Sequence, residues 1–277
     1  AGERILSSLY QEHTGRYFNH NVHSVRVLDD MVNWNISLQT LDGILCHNGE
    51  LELKEYRPCE MSTFVEYDKK VEACYVDENA IGELIPCTLE GCVMRICDII
   101  AYLGKDRQDA MRLNLLKESP FTAGAIGTSN GEIINNFSVN IIENSYGKDY
   151  LKMDEEYFDA LRQAKKENYE MIYNNKSLND LYENEIRPMF GELYEELLRQ
   201  AESGDKSSVF YRHHMAYMEK NNFYIKSHVR KPYAEQEKNQ LVVDYLASMT
   251  DDYFIALYHY LFPKGKHDVK FVGYFDL

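Results

Sequence analysis

Apolar residues return every three or four positions through most of this 277-residue chain, the spacing of helices that turn one face to a core. Between Asn21 and Asn33 the residues Val22, Val25, Leu28, Met31 and Val32 fall on one side. From Val93 to Leu103, Val93, Ile96, Ile100 and Leu103 repeat the spacing, and Gly104 follows as a stop signal. Ile133 to Ile142 carries Ile134, Phe137 and Ile141, and Glu155 to Tyr173 carries Tyr157, Leu161, Ala164 and Ile172. All of these read as core-facing. Pro188 marks a helix start before Phe190, Leu193 and Leu197, and Glu235 to Leu261 forms the longest run, closed by Pro263. Two stretches break the pattern: Pro120 to Gly131 reads as a loop, and Val269 to Tyr274 as a short terminal strand. The polar run 201–208, with Gly204, is the best candidate for a flexible connection. The expected class is therefore all-α, a multi-helical bundle with at most that terminal strand.

With 44% apolar residues the chain can bury a sizeable core, as one large domain or two small ones. No apolar run approaches the roughly 18 to 20 residues that a membrane span needs. Forty-five acids against 30 bases give a formal charge of −15, which excludes a generally nucleic-acid-coating surface but leaves room for a local basic groove. The six cysteines, Cys46, Cys59, Cys74, Cys87, Cys92 and Cys97, contain no C-x-x-C pair, so buried or half-buried thiols are expected rather than zinc or disulfides. The chain opens on Ala1-Gly2-Glu3-Arg4-Ile5 without Met and runs straight into an amphipathic segment with Ile5, Leu6 and Leu9. It reads as the latter part of a longer protein with no signal peptide, and a cytoplasmic location is expected.

The most informative stretch is Cys97-Asp98-Ile99-Ile100-Ala101-Tyr102, followed by Asp106 and Asp109-Ala110, because it sets an acid inside an otherwise apolar helix. Asp98 and Tyr102 are four apart and share a face. Taken alone, Asp98 either pairs with a nearby Arg or caps a neighbouring helix, or else ligates a metal.

The segment resembles the motif D-x-I-A-Y-x-x-x-D-x-x-D-A of HD-domain deoxynucleoside triphosphate triphosphohydrolases, the dGTPase-like family. Three further stretches agree in order. Phe18-Asn19-His20-Asn21-Val22-His23-Ser24-Val25-Arg26 is similar to F-x-H-N-x-Q-S-x-R, with His23 where Gln is usual. The run Asn35 to Leu45 resembles N-L-T-x-x-T-L-x-G-I-L, and Asp244 to Tyr253 resembles D-Y-I-A-G-M-T-D-x-Y-A. Of the lone His, the His-Asp pair and the distant Asp that hold the family's metal, the chain carries only the last, as Asp98. The resemblance implies residues 1–277 as the latter, C-terminal portion of a single large HD-type helical domain.

It further implies hydrolysis of a deoxynucleoside triphosphate to deoxynucleoside and inorganic triphosphate, with a divalent metal such as Mn or Mg. In that scheme Asp98 closes the metal site, and Glu3 orients a catalytic His that precedes Ala1. Tyr102 packs on the deoxyribose, and Asp106 accepts from the 3′-hydroxyl. Cys46 stands where the family commonly has a phosphate-binding Lys, so Lys70 becomes the candidate phosphate ligand, its alternative being a solvated pair with Lys69. Arg26 either serves phosphate or pairs with Asp29 or Asp30, while His20 and His23, three apart, face one cleft or serve structurally. Expected partners are the nucleotide, a homo-oligomer (relatives are often hexameric), and single-stranded DNA or an effector nucleotide, with no membrane. Against the enzyme stand a non-catalytic nucleotide-binding or regulatory relative and a purely structural helical subunit.

Overall fold

The computed structural model describes residues 2–32, 34–48, 52–116, 121–221 and 232–269. They are helical almost throughout, as the periodicity predicts, and divide into two compact units, one of residues 1–35 and 180–277, the other of 36–179.

In the first unit, α1 (Gly2–Thr14) turns Ile5, Leu6 and Tyr10 inward. Next comes α2 (His20–Arg26), which widens into a π-helical turn over Val27–Met31. The second unit begins with α3 (Leu38–Leu45), capped by Ser37, then strand β1 (Glu55–Tyr56) and α4 (Phe64–Val76). A capping box starts α4: Thr63 accepts from the amide of Glu66, whose carboxylate accepts from the amide of Thr63.

The central element of the second unit is the 24-residue α5 (Leu89–Arg112). Cys92, Ile96, Ile99, Ile100 and Leu103 form its inner face, against Ile133 and Phe137 of α6 (Asn130–Ser145) and Leu161 and Ala164 of α7 (Glu155–Asn168). Each fully buried side chain of this size contributes about 1.5–3 kcal/mol. Three expected core positions are exposed: Val93 at 43% and Ile134 at 41% in this unit, and Val32 at 39% in the first. A helix tilts its inner stripe by a fraction of a turn per heptad, so spacing locates the stripe only to within a neighbour.

Gly104 is no stop either. The helix runs through it, and a Cβ there would lie 2.7 Å from the Cα of Asn130, so this glycine lets α5 and α6 approach backbone to backbone. Residues 121–129 are irregular, as expected, while Pro120 lies outside the described residues. Strand β1 pairs antiparallel with β2 (Leu151–Lys152), Glu55 opposite Lys152 and Tyr56 opposite Leu151. Two-residue strands carry too few alternating positions to be seen in sequence. The terminal strand expected over 269–274 lies outside the described residues beyond Val269, which is not in a strand.

After a second π-helical turn (Tyr169–Tyr173) and α8 (Lys176–Leu181), the chain returns to the first unit through a third such turn (Tyr182–Ile186) into α9 (Arg187–Ser203). Pro188 sits in its first turn, and Met189, Leu193, Tyr194 and Leu197 are buried. The helix ends on Gly204 at φ +66°, so the polar run 201–208 is a helix end and a turn. Another π-helical turn (Phe210–Met215) leads into α10 (Ala216–Asn221).

The long run 235–261 is two helices. Every residue from Leu241 to Leu246 of α11 (Lys238–Ala247) is buried, and Thr250 caps the separate α12 (Asp251–Leu261) by accepting from the amide of Tyr253. A Thr hydroxyl competing for the helix amides is what breaks the run. Both α1 and α11 pack on α9.

Candidate functional site

Sequence-predicted site residues fall in both units. In the first, Glu3 in the opening turn of α1 meets His20 at the start of α2. Its Oε1 accepts from the His20 amide at 2.7 Å and contacts Nδ1 at 2.8 Å. Burial works to raise the Glu3 pKa, but the hydrogen bonds and charge of His20 outweigh it and hold the carboxyl below its ordinary value. Since a carboxylate only accepts, the proton of this contact sits on His20 Nδ1, and proton exchange is left to Nε2. The sequence pointed Glu3 at a histidine before Ala1; within the chain its partner is His20.

His23 and Arg26 continue along α2 into a buried polar cluster. Arg26 donates from Nε and Nη2 to Asp244 of α11 at 2.8 and 2.6 Å, and Nη1 reaches Asp30 at 3.3 Å. Asp244 is fully buried and also accepts from Tyr233 at 2.9 Å and Gln240 at 3.0 Å. Desolvation opposes its charge, yet Arg26 keeps its pKa lowered. His23 Nδ1 lies 3.7 Å from the same carboxylate, and burial lowers the His23 pKa. Of the two partners expected for Arg26, Asp30 takes part, and the main partner, Asp244, lies 218 positions away. The cluster thus joins the first and last of the four sequence motifs.

In the second unit, Asp98, Tyr102 and Asp106 occupy successive turns along one side of α5, and all three are half-buried. Asp98 has no hydrogen-bond or ion-pair partner among the described residues. Tyr102 lines a cleft of about 670 Å³. Across from it α7 contributes Arg162, Lys165 and Lys166, and the π-helical turn that follows contributes Tyr169 and Tyr173. The Tyr173 hydroxyl donates to Asp106 Oδ2. Burial raises the Asp106 pKa against this bond, and it raises that of Tyr173 as well. Glu52, on the approach to β1, closes the cleft with its carboxylate on Lys165.

Lys70 stands apart from this cleft's lining. Its Nζ donates to the buried Asp42 at 2.7 Å and to the Ile85 carbonyl at 2.8 Å, with Cys46 Sγ at 3.6 Å. Burial opposes its charge, but Cys46 and Asp42 prevail and its pKa is raised. All six thiols are free; Cys46, Cys74 and Cys92 are buried and Cys97 is exposed.

Sequence reading missed Glu52, Arg162, Lys165, Lys166, Tyr169 and Tyr173, because it followed only the apolar side of 155–173. The polar side held the signal: Lys165, Tyr169 and Tyr173 are four apart and share a face. Among the described residues no three His, Cys, Asp or Glu side chains converge to hold a metal ion. A divalent metal centre takes several protein ligands, and of the residues described Asp98 supplies one carboxylate towards such a set.

Residues 187–260, the helical core of the first unit, match the phosphohydrolase-associated domain family. The chain as a whole is similar to proteins named dGTPase-like. It is 24% identical over 95% of its length to a deoxyguanosinetriphosphate triphosphohydrolase-like protein of Caldanaerobacter subterraneus subsp. tengcongensis, covering 62% of that protein. A protein of the same name from Clostridium tetani is 24% identical over 95% of the chain and 64% of its own length. Another, from Desulfatibacillum aliphaticivorans, is 23% identical over 94% and 65%. The chain thus spans less than two thirds of each of these relatives. No solved structure matches it. No helix among the described residues is long and apolar enough to cross a membrane.

Proposed function

We propose that the protein carrying this chain hydrolyses deoxynucleoside triphosphates to deoxynucleoside and inorganic triphosphate with the help of a divalent metal, Mn or Mg. The observation that supports this most is the cleft of the second unit. It sets the ring of Tyr102 beside the Tyr173–Asp106 pair and the cations of α7, which suits a deoxyribose, its 3′-hydroxyl and an anionic tail respectively. Names of the relatives agree with that chemistry. Asp98, one turn before Tyr102, is proposed as one metal ligand, the others lying beyond the described residues. Glu3 and His20 are proposed as an acid–base pair, the carboxylate fixing the ring and Nε2 moving the proton. The lack of a complete metal cluster among the described residues favours one competing reading, a nucleotide-binding regulatory subunit.

Incubating the full-length protein with each dNTP and Mn, and separating the products by ion chromatography, tests the proposal. Inorganic triphosphate is expected. Asp98→Ala should lower turnover by about a hundredfold or more while leaving α5 intact, since Ala is the better helix former. Release of orthophosphate or pyrophosphate would refute triphosphohydrolysis, and full activity in Asp98→Ala would remove Asp98 from the site. Nucleotide binding without turnover would establish the regulatory subunit instead.

A further inference from the structure

Lys165 is the cation of the second unit's cleft whose anion is itself sheltered from solvent; Lys166 lies 3.9 Å from Glu170 in a pair that is exposed on both sides. Glu52 reaches Lys165 from a short segment fixed in place: the Lys54 carbonyl accepts from the Met153 amide at 3.0 Å, and the Leu53 amide donates to the Tyr56 hydroxyl at 3.0 Å. Both partners of the ion pair are mostly buried, Lys165 at 21% and Glu52 at 24% exposure. Burial works to raise the Glu52 pKa, but the hydrogen bond and charge of Lys165, with Arg162 behind them, hold the carboxyl lowered. The carboxylate is therefore ionised at neutral pH and sits where a phosphate oxygen would find its best cation. An anion that binds Lys165 must take it from Glu52 and then lie against the displaced carboxylate.

We propose that Glu52 is a resident competitor that holds Lys165 until a polyphosphate displaces it, so that Glu52 sets the threshold of anionic charge needed for binding. The inference rests on the reading of this cleft as the nucleotide site. A polyphosphate tail carries several negative charges and can engage Arg162 and Lys166 together with Lys165, whereas a singly charged anion gains only what Glu52 already provides.

Calorimetric titration of the full-length protein with inorganic tripolyphosphate provides the test, alongside the KM for a dNTP. Glu52→Gln keeps size and shape and removes the charge. It should tighten tripolyphosphate binding roughly fivefold to tenfold and lower KM by a similar factor. In a Lys165→Met background the same change should bring no such gain, because the contested cation is gone. Circular dichroism melts establish that each variant is folded. Unchanged or weaker tripolyphosphate binding in Glu52→Gln overturns the inference, as does a gain that persists in Lys165→Met. A KM that worsens for a single base overturns it too, since Glu52 would then read the base. Normal hydrolysis with an unaltered Glu52→Gln titration sinks this inference alone; tighter binding without any hydrolysis sinks the catalytic reading alone.

Discussion

Tyr102 and Asp106 make a pair of neighbours on α5 whose surroundings differ in kind, and the proposed function gives them different work. Tyr102 offers a ring to the cleft, while Asp106 is held by the Tyr173 hydroxyl and desolvated enough that its pKa is raised. In the proposed site the Tyr102 ring lies against the sugar and leaves no room for a 2′-hydroxyl, and the Asp106 carboxylate accepts from the 3′-hydroxyl. An unsatisfied buried partner costs about 1–3 kcal/mol, roughly tenfold to a hundredfold in rate. Tyr102→Ala should therefore narrow the preference for a dNTP over its rNTP, and Asp106→Ala should weaken discrimination against the 3′-deoxy analogue. Turnover of the three substrates by each variant checks this, and wild-type ratios in both variants would remove both assignments.

The crossing of α5 and α6 depends on an absent side chain. Helix propensity favours Ala over Gly by about 1 kcal/mol in a helix interior, so Gly104→Ala looks stabilising from the sequence. Contact decides the opposite sign. The new Cβ would meet the Cα of Asn130 at 2.7 Å, and backbone cannot rotate away as the end of a flexible side chain can. Overpacking of this kind costs about 1–3 kcal/mol. A net loss of roughly 1–2 kcal/mol is expected in urea unfolding, and an unchanged or raised midpoint would show that the helices can separate without cost.

Acid should destabilise the molecule well before its carboxylates titrate, and the reason lies in the core of the first unit. His214 is 4% exposed, stacks on Tyr245 and contacts the Tyr233 hydroxyl at 2.7 Å. Burial pushes its pKa down to about 4; Asp244 opposes the shift, and Arg26 and His23 add to it. An unfolded His titrates near 6.5, so between about pH 6.5 and pH 4 the unfolded state binds a proton that the folded state does not. Stability is then full above pH 6.5 and falls as the pH drops towards 4, by up to about 3 kcal/mol from this one residue. His23, lowered in the same direction, adds to the slope. Unfolding free energies measured across this window should decline, and His214→Gln should flatten the decline; an equal slope in the variant would place its origin elsewhere.

Helices and family resemblance were read from the order of residues, and the caps could have been, because helical spacing and capping boxes depend on neighbours three and four positions apart. Ser129 and Glu132 box the start of α6 just as Thr63 and Glu66 box α4, and Asp98, Tyr102 and Asp106 share a side of α5 from their spacing alone. What the acids and bases pair with was not legible. Arg26 meets Asp244 across 218 positions, Lys165 meets Glu52 across 113, and Tyr173 meets Asp106 across 67. Local candidates such as Asp29 compete equally well on spacing. Such pairings follow from how helices cross, and a crossing is chosen by many side chains and close approaches at once, Gly104 on Asn130 among them, so no single stretch of sequence encodes it.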